Sequence, residues 1–268
     1  MNPLVFTLKV TPPQRLDLSP LLPHRLAGKS SKDIAAIDLA TTREKLAVGD
    51  LFRIRAGSAE EIRFEVGSER FDGVGQGLQQ GRLVVAGDVG VNAGRKMTGG
   101  ELVIFGNAGP YAGSAMAGGR LEIIGDAGDF LAAPREGEIH GMTGGLLVLR
   151  GTAGQRAGDR LRRGTILIEG DAGDWLGSRL IAGTLIVLGR SGVSPGYLMR
   201  RGTIVLAKPP ALSPTFVDCG TFASAFAAVF GRFLLAESRG AARLFRAPLR
   251  RFAGDMAVLG KGEIFVPA

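Results

Sequence analysis

The chain has 268 residues, 45% hydrophobic and 6% aromatic, with 42 glycines and a formal net charge of +8. That length and apolar content suffice for a sizeable core, and no apolar run approaches the ~20 residues that a membrane-spanning helix needs. A single cysteine, Cys219, excludes a disulfide framework and any iron–sulfur cluster built within the chain, and two histidines leave little material for a zinc site or a histidine-based triad.

The opening segment Met1–Lys9 lacks the charged-then-apolar layout of a secretory signal and reads as a first strand, Leu4–Val10, so the expectation is a cytoplasmic protein. Further strands are predicted at Ile34–Leu39 and Leu51–Arg55, making residues 1–61 an N-terminal α/β cap. A degenerate first coil follows, Ile62–Gly67 and then Phe71–Gly81.

From there a repeat takes over. Glycines recur at Gly81, Gly100, Gly119, Gly145, Gly164, Gly183 and Gly202, every interval being 19 residues except the third, which is 26. Two residues after each stand Leu83, Leu102, Leu121, Leu147, Ile166, Leu185 and Ile204; four after stand Val85, Ile104, Ile123, Leu149, Ile168, Val187 and Leu206. Residues two apart on a strand share a face, so these columns form one apolar wall. Leu78, Met97, Met116, Met142, Leu161, Leu180 and Met199 make a third column, and Val89, Ala108, Ala127, Ala153, Ala172 and Ser191 a fourth of small residues. A unit this short cannot bury its own face and must stack on its neighbours. It is also too short for a strand, an amphipathic helix and two loops. Residues 62–207 therefore read as an all-β core, a right-handed parallel β-helix of about seven to eight coils and ~35 Å in length, with the handedness taken from the general rule for parallel crossovers. These glycines and apolar residues are fold, not chemistry.

The long interval places its extra residues within Leu131–His140, and insertions in arrays map to loops on one face, often the binding face. Glu136, Glu138 and His140 are side chains of metal-ligand type at alternating positions; a solvated loop is the ordinary reading, and no metal site is assigned. The polar column Asp88, Asn107, Asp126, Thr152, Asp171 and Arg190 reads as turn-capping residues.

Charge is unevenly spread. Residues 1–134 carry 15 basic and 15 acidic side chains, 135–201 carry 10 and 6, and 202–268 carry 8 and 4. The excess, mostly arginine, points to an acidic partner or substrate on the second half, the alternative being a solvated arginine-rich surface. Lys96, Arg160 and Arg179 share one column and should project from one side. Nucleic acid is disfavoured, because no aromatics interleave these cations.

After Leu206 the glycine rhythm stops at Pro209-Pro210. Thr221–Leu235 is predicted as a helix, with Phe222, Phe226, Val229, Phe230 and Phe233 at helical spacing, and Leu244–Val266 returns to extended structure, so 208–268 is a C-terminal helix and tail capping the rod. Gly73-Val-Gly75-Gln-Gly77 lacks the following helix and later acidic residue of a dinucleotide fingerprint. Ala27-Gly28-Lys29-Ser30 lacks the first glycine of a phosphate loop, Pro23 standing in its place. No autonomous active site emerges, and no catalytic residue is assigned.

The repeat Gly106-Asn-Ala-Gly109, with Gly113, Met116 and Gly118-Gly119 behind it, resembles the glycine-repeat β-helix shared by the C-terminal domain of glutamate synthase and the C subunit of formylmethanofuran dehydrogenase. The flanks favour the second family: Leu21-Leu-Pro-His-Arg-Leu-Ala-Gly-Lys-Ser30 with Asp33-Ile-Ala35 and Val48-Gly-Asp-Leu-Phe52 at the start, Arg250-Arg-Phe-Ala-Gly-Asp-Met-Ala257 and Gly260-Lys-Gly-Glu-Ile264 at the end. The family has two settings, a molybdenum or tungsten dehydrogenase of methanogens and the formyltransferase/hydrolase complex of methylotrophic bacteria. Alanine-, leucine- and arginine-rich usage with little lysine favours the second. The resemblance implies that catalysis lies in amidohydrolase-like, formyltransferase and dehydrogenase-B-like sister subunits. It implies a formyl group passing from formyl-tetrahydromethanopterin to a glutamate-rich, methanofuran-like carrier and on to formate, with no cofactor on this chain. Lys96, Arg160, Arg162, Arg163 and Arg179 are then expected to attract the anionic carrier tail or an acidic partner. No contact with a membrane is expected.

Overall fold

The computed structural model describes residues 2–39, 44–222 and 225–268. The N-terminal segment comprises β1 (Pro3–Leu8), β2 (Leu16–Asp17), α1 (Pro23–Leu26), α2 (Ser31–Ala35), β3 (Asp38–Leu39), β4 (Leu46–Ala47), α3 (Val48–Leu51) and β5 (Phe52–Arg55). Its core is a cluster of buried rings: Phe6 stacks on Phe64 at 5.0 Å between centroids, and Phe52 and Phe71 meet them edge-on or tilted. The predicted strand Ile34–Leu39 is a helical turn for its first half. The Asp33 amide donates to the Ser30 hydroxyl and the Ser30 amide to the Asp33 carboxylate, each at 3.2 Å, and this local capping outweighs the extended preference of Ile34.

The repeats supply β6 (Ser58–Phe64), β7 (Phe71–Asp72), β8 (Arg82–Val85), β9 (Thr98–Ile104), β10 (Gly118–Ile123), β11 (Leu146–Leu149), β12 (Thr165–Ile168), β13 (Thr184–Val187) and β14 (Arg201–Leu206). The C-terminal part adds β15 (Val217–Phe222), α4 (Ala225–Leu234), α5 (Arg239–Leu244), β16 (Leu249–Gly254) and β17 (Lys261–Pro267). The core is all-β. Thirteen strands form one sheet in the order β15-β16-β17-β14-β13-β12-β11-β10-β9-β8-β6-β1-β5, parallel from β1 to β17 and antiparallel at both ends.

Strand register follows the sequence period. Leu83, Leu102, Leu121, Leu147, Ile166, Leu185 and Ile204 are successive partners, and the pairing Leu121–Leu147 absorbs the long interval without a slip. Single parallel bridges link Val89, Ala108, Ala127, Ala153, Ala172 and Ser191 in a second ladder. The apolar columns and the Met/Leu column are fully buried. Two glycines show why the period needs them. A Cβ on Gly173 would lie 2.8 Å from the carbonyl carbon of Gly154 one repeat below, and Gly164 holds φ +99°, where its Cβ would meet the Met142 methyl at 2.8 Å.

Two expectations for the C-terminal part are corrected. Thr221 and Phe222 close strand β15 rather than open the helix; residues 223 and 224 lie outside the described residues, and α4 begins at Ala225. The helices also do not close the end of the stack. They lie on the outer face of the sheet, where Ala227, Leu234, Ala241, Ala242 and Phe245 pack on Val148, Leu167, Ile186 and Val205. The end beyond β14 is finished by β17, β16 and β15.

Candidate functional site

The column that carries Lys96, Arg160 and Arg179 runs through Ala115 and Leu198, and all five residues adopt φ of +50° to +55°. Arg160 and Arg179 sit on adjacent repeats beside Asp159, which is 3% exposed. Arg179 donates to both Asp159 oxygens, from Nε at 3.0 Å and Nη2 at 2.9 Å, and the Ser178 hydroxyl donates to the same carboxylate. Arg160 is 3.9 Å from Asp159 and donates to the Glu138 carbonyl at 3.1 Å, tying down the insertion loop. Glu138 in turn pairs with Arg95 at 2.6 Å.

These contacts frame a cleft of about 470 Å³ lined by Glu138, Ile139, Arg160, Arg179, Ile181, Leu198, Arg200 and Val258. A second hollow of about 370 Å³ adjoins it, lined by Arg162, Arg163, Ile181, Ala182, Arg200, Arg201 and Leu259. Ile181 and Arg200 belong to both. The structure thus brings Arg160, Arg162, Arg163 and Arg179 to two adjoining hollows. It leaves Lys96 exposed elsewhere and adds Arg200 and Arg201. The sequence holds a signal for those two: arginine doublets stand immediately before Gly164 and again before Gly202. Among the described residues, no carboxylate pairs with Arg162, Arg163, Arg200 or Arg201.

Of the insertion-loop side chains of metal-ligand type, Glu138 is engaged in folding, and Glu136 is exposed. Glu138 is held by Arg95 and by the Arg135 amide, and among the described residues no three His, Cys, Asp or Glu side chains are grouped to hold a metal ion. The polar column does not cap its own turns. The Asp88 carboxylate accepts the Asn107 amide at 2.7 Å, the Asn107 side chain accepts Asp126 at 2.8 Å, and Asp126 accepts Thr152 at 2.7 Å, so each residue stitches its repeat to the next.

A second charged cluster lies against the α4–α5 connection. Glu122 accepts from Arg120 at 2.7 Å and from Arg150 at 2.6 Å; Arg120 also reaches Glu237 at 3.0 Å, and Arg150 donates to the Glu237 carbonyl at 2.8 Å. Burial disfavours ionisation of Glu122, but the hydrogen bonds and charges of the two guanidinium groups outweigh it and hold the carboxyl below its ordinary range.

No protein-family model matches the chain. It is 51% identical over 259 residues, 96% of either chain, to the C subunit of the formyltransferase/hydrolase complex Fhc of Methylorubrum extorquens. It also superimposes, with a TM-score of 0.95 and 42% identity over 98% of this chain and 99% of the other, on a chain of the crystal structure of the formyltransferase/hydrolase complex FhcABCD from Methylorubrum extorquens in complex with methylofuran. No helix among the described residues is long and apolar enough to cross a membrane. Full-length identity and a shared backbone lead to one conclusion: the chain belongs to the C-subunit family of the formyltransferase/hydrolase complex.

Proposed function

We propose that this chain is the scaffold subunit of a four-subunit formyltransferase/hydrolase in the cytoplasm. The assembly passes a formyl group from formyl-tetrahydromethanopterin to a methanofuran-like carrier and releases it as formate. The chemistry belongs to amidohydrolase-like, formyltransferase and dehydrogenase-B-like sister subunits. This chain contributes a rigid body, a right-handed parallel β-helix of about seven to eight coils, flanked by segments 1–61 and 208–268. The adjoining arginine-lined hollows are where it meets an acidic element of the assembly.

The observation that carries this reading is the 51% identity to the Fhc C subunit across nearly the whole of both chains. A rigid spacer is supported by the unbroken register of the buried columns and by the side-chain ladder from Asp88 to Thr152. The test is affinity purification of the tagged chain from its native cell. Sister chains should co-purify in fixed ratio, and the preparation should release formate from formyl-tetrahydromethanopterin. A flavoprotein partner, or no partner, overturns the reading.

A further inference from the structure

We infer that the arginine doublets of the later repeats, with the apolar loop beside them, form a docking surface for an acidic segment of a sister subunit. This rests on the reading of the chain as one member of a larger assembly.

The geometry is built by the repeat. Arg162-Arg163 and Arg200-Arg201 occupy equivalent positions two repeats apart, and Ile181-Ala182 fills the layer between. With strands ~4.8 Å apart, the doublets stand about 10 Å from one another. The surface therefore presents cation pairs at two levels with an apolar step between them, which suits a segment in polyproline-II geometry, whose carboxylates three residues apart share one face about 9 Å from each other. All four cations are exposed and, among the described residues, none has a carboxylate partner within the chain. Like charges held this close repel, so the chain alone gains nothing from them. Every one is arginine, the residue suited to bidentate capture of carboxylates.

The apolar loop shows that the occupant is a protein rather than a small anion. Buried Asp255 accepts the Leu198 and Ala257 amides at 2.9 Å each, and the Gly260 amide donates to the Asp255 carbonyl at 3.0 Å. The loop is thereby fixed to the last repeat. Yet Met256, Val258 and Leu259 are 48%, 41% and 54% exposed; Val258 lines the first hollow beside the arginines and Leu259 the second. A fixed apolar knuckle beside unpaired arginines matches the composition of protein interfaces, rich in Met and Arg and poor in Lys. An anionic carrier tail would use the arginines but not the knuckle.

The test uses the assembled complex. The variant Arg162→Glu/Arg163→Glu/Arg200→Glu/Arg201→Glu should cut the amount of this chain retained on tagged sister subunits about tenfold or more, with circular dichroism unchanged. In wild-type protein, raising salt should lower retention in the same direction. Retention of the variant at wild-type stoichiometry overturns the inference. If the carrier content of the complex falls while retention holds, the hollows belong to the carrier. An independent probe leaves the arginines intact: p-benzoylphenylalanine in place of Leu259 should photo-crosslink to an Asp/Glu-rich segment of one sister subunit. No crosslink, or one to a segment without carboxylates, also overturns it. Should the unmodified chain fail to co-purify, the assembly reading itself fails.

Discussion

Two groups of arginines on the repeats contrast. Arg120 and Arg150 are each about one-quarter exposed and between them hold Glu101, Glu122, Glu169 and Glu237, clamping the α4–α5 connection to the sheet. Arg162, Arg163, Arg200 and Arg201 are exposed and, among the described residues, hold no carboxylate. A count of charge along the sequence does not separate them, because both populations lie on repeats. Pairing does. Where the layout supplies a carboxylate, arginine strengthens the fold; where it does not, the charge is available to something outside. Arg160 and Arg179 stand between the two, lining the cleft but anchored by Asp159 and the Glu138 carbonyl.

The largest effect is expected at that intermediate position. Asp159→Ala removes a carboxylate that is 3% exposed, leaving the Ser178 hydroxyl without its acceptor and Arg179 without its partner. Arg179 stays partly solvated, so the cost comes from its lost charge-assisted hydrogen bonds and the stranded, buried Ser178 hydroxyl, about 3 kcal/mol together, lowering the melting temperature by roughly 10 °C. An unchanged melting curve would move Arg179 into the free population. Arg150→Met comes next. It leaves Glu122 and Glu169 without this shared counter-ion and removes the tie to the Glu237 carbonyl, at about 2 kcal/mol given partial solvent access. Amide exchange should quicken first in α4 and α5; uniform quickening would show that the clamp belongs to the whole sheet.

The repeat was legible because its physics is columnar. Gly81 to Gly202 and the Leu83-to-Ile204 column stack in the observed register, since a parallel ladder preserves sequence period. What depends on a neighbour outside the column was not. Val148, Leu167, Ile186 and Val205 make those strands apolar on both faces, a pattern of strands covered twice, and the cover is α4 with α5 rather than solvent. Ser30 and Asp33 spelled a helix cap that the extended preference of the following residues obscured. The aspartate column pointed to turns because a single repeat offers only its own amides; stacking supplies the better donor one level up. Of the arginines and the lysine singled out by column and charge, Arg160, Arg162, Arg163 and Arg179 line the hollows, while Lys96 stands apart, the next repeat placing Ala115 in its column.

Acid should separate the two populations without mutation. Glu122 titrates below its ordinary range in the folded chain, so its pairing stabilises fully above the unfolded glutamate pKa of about 4.3 and is lost as pH falls through the lower folded value. The α4–α5 cover should therefore loosen below about pH 4, seen as faster exchange there than in β8–β10. Replacing Glu122 by Gln should abolish the pH dependence of that difference. If the dependence survives, another carboxylate governs the clamp.

The smallest effect is expected where the charge excess is most conspicuous. In the purified chain, Arg162→Ser/Arg163→Ser/Arg200→Ser/Arg201→Ser removes no ion pair among the described residues and relieves mutual repulsion. Stability should stay within about 0.5 kcal/mol of the parent, with any change a gain at low ionic strength that vanishes when salt screens the four charges. Denaturant melts at two salt concentrations measure this directly. A loss comparable to that of Arg150→Met would mean that these arginines also serve the fold, and the distinction between clamping and available charge would collapse. Near-silence in the free chain, set beside a large effect on retention by the sister subunits, is the pattern that only an external acidic partner explains.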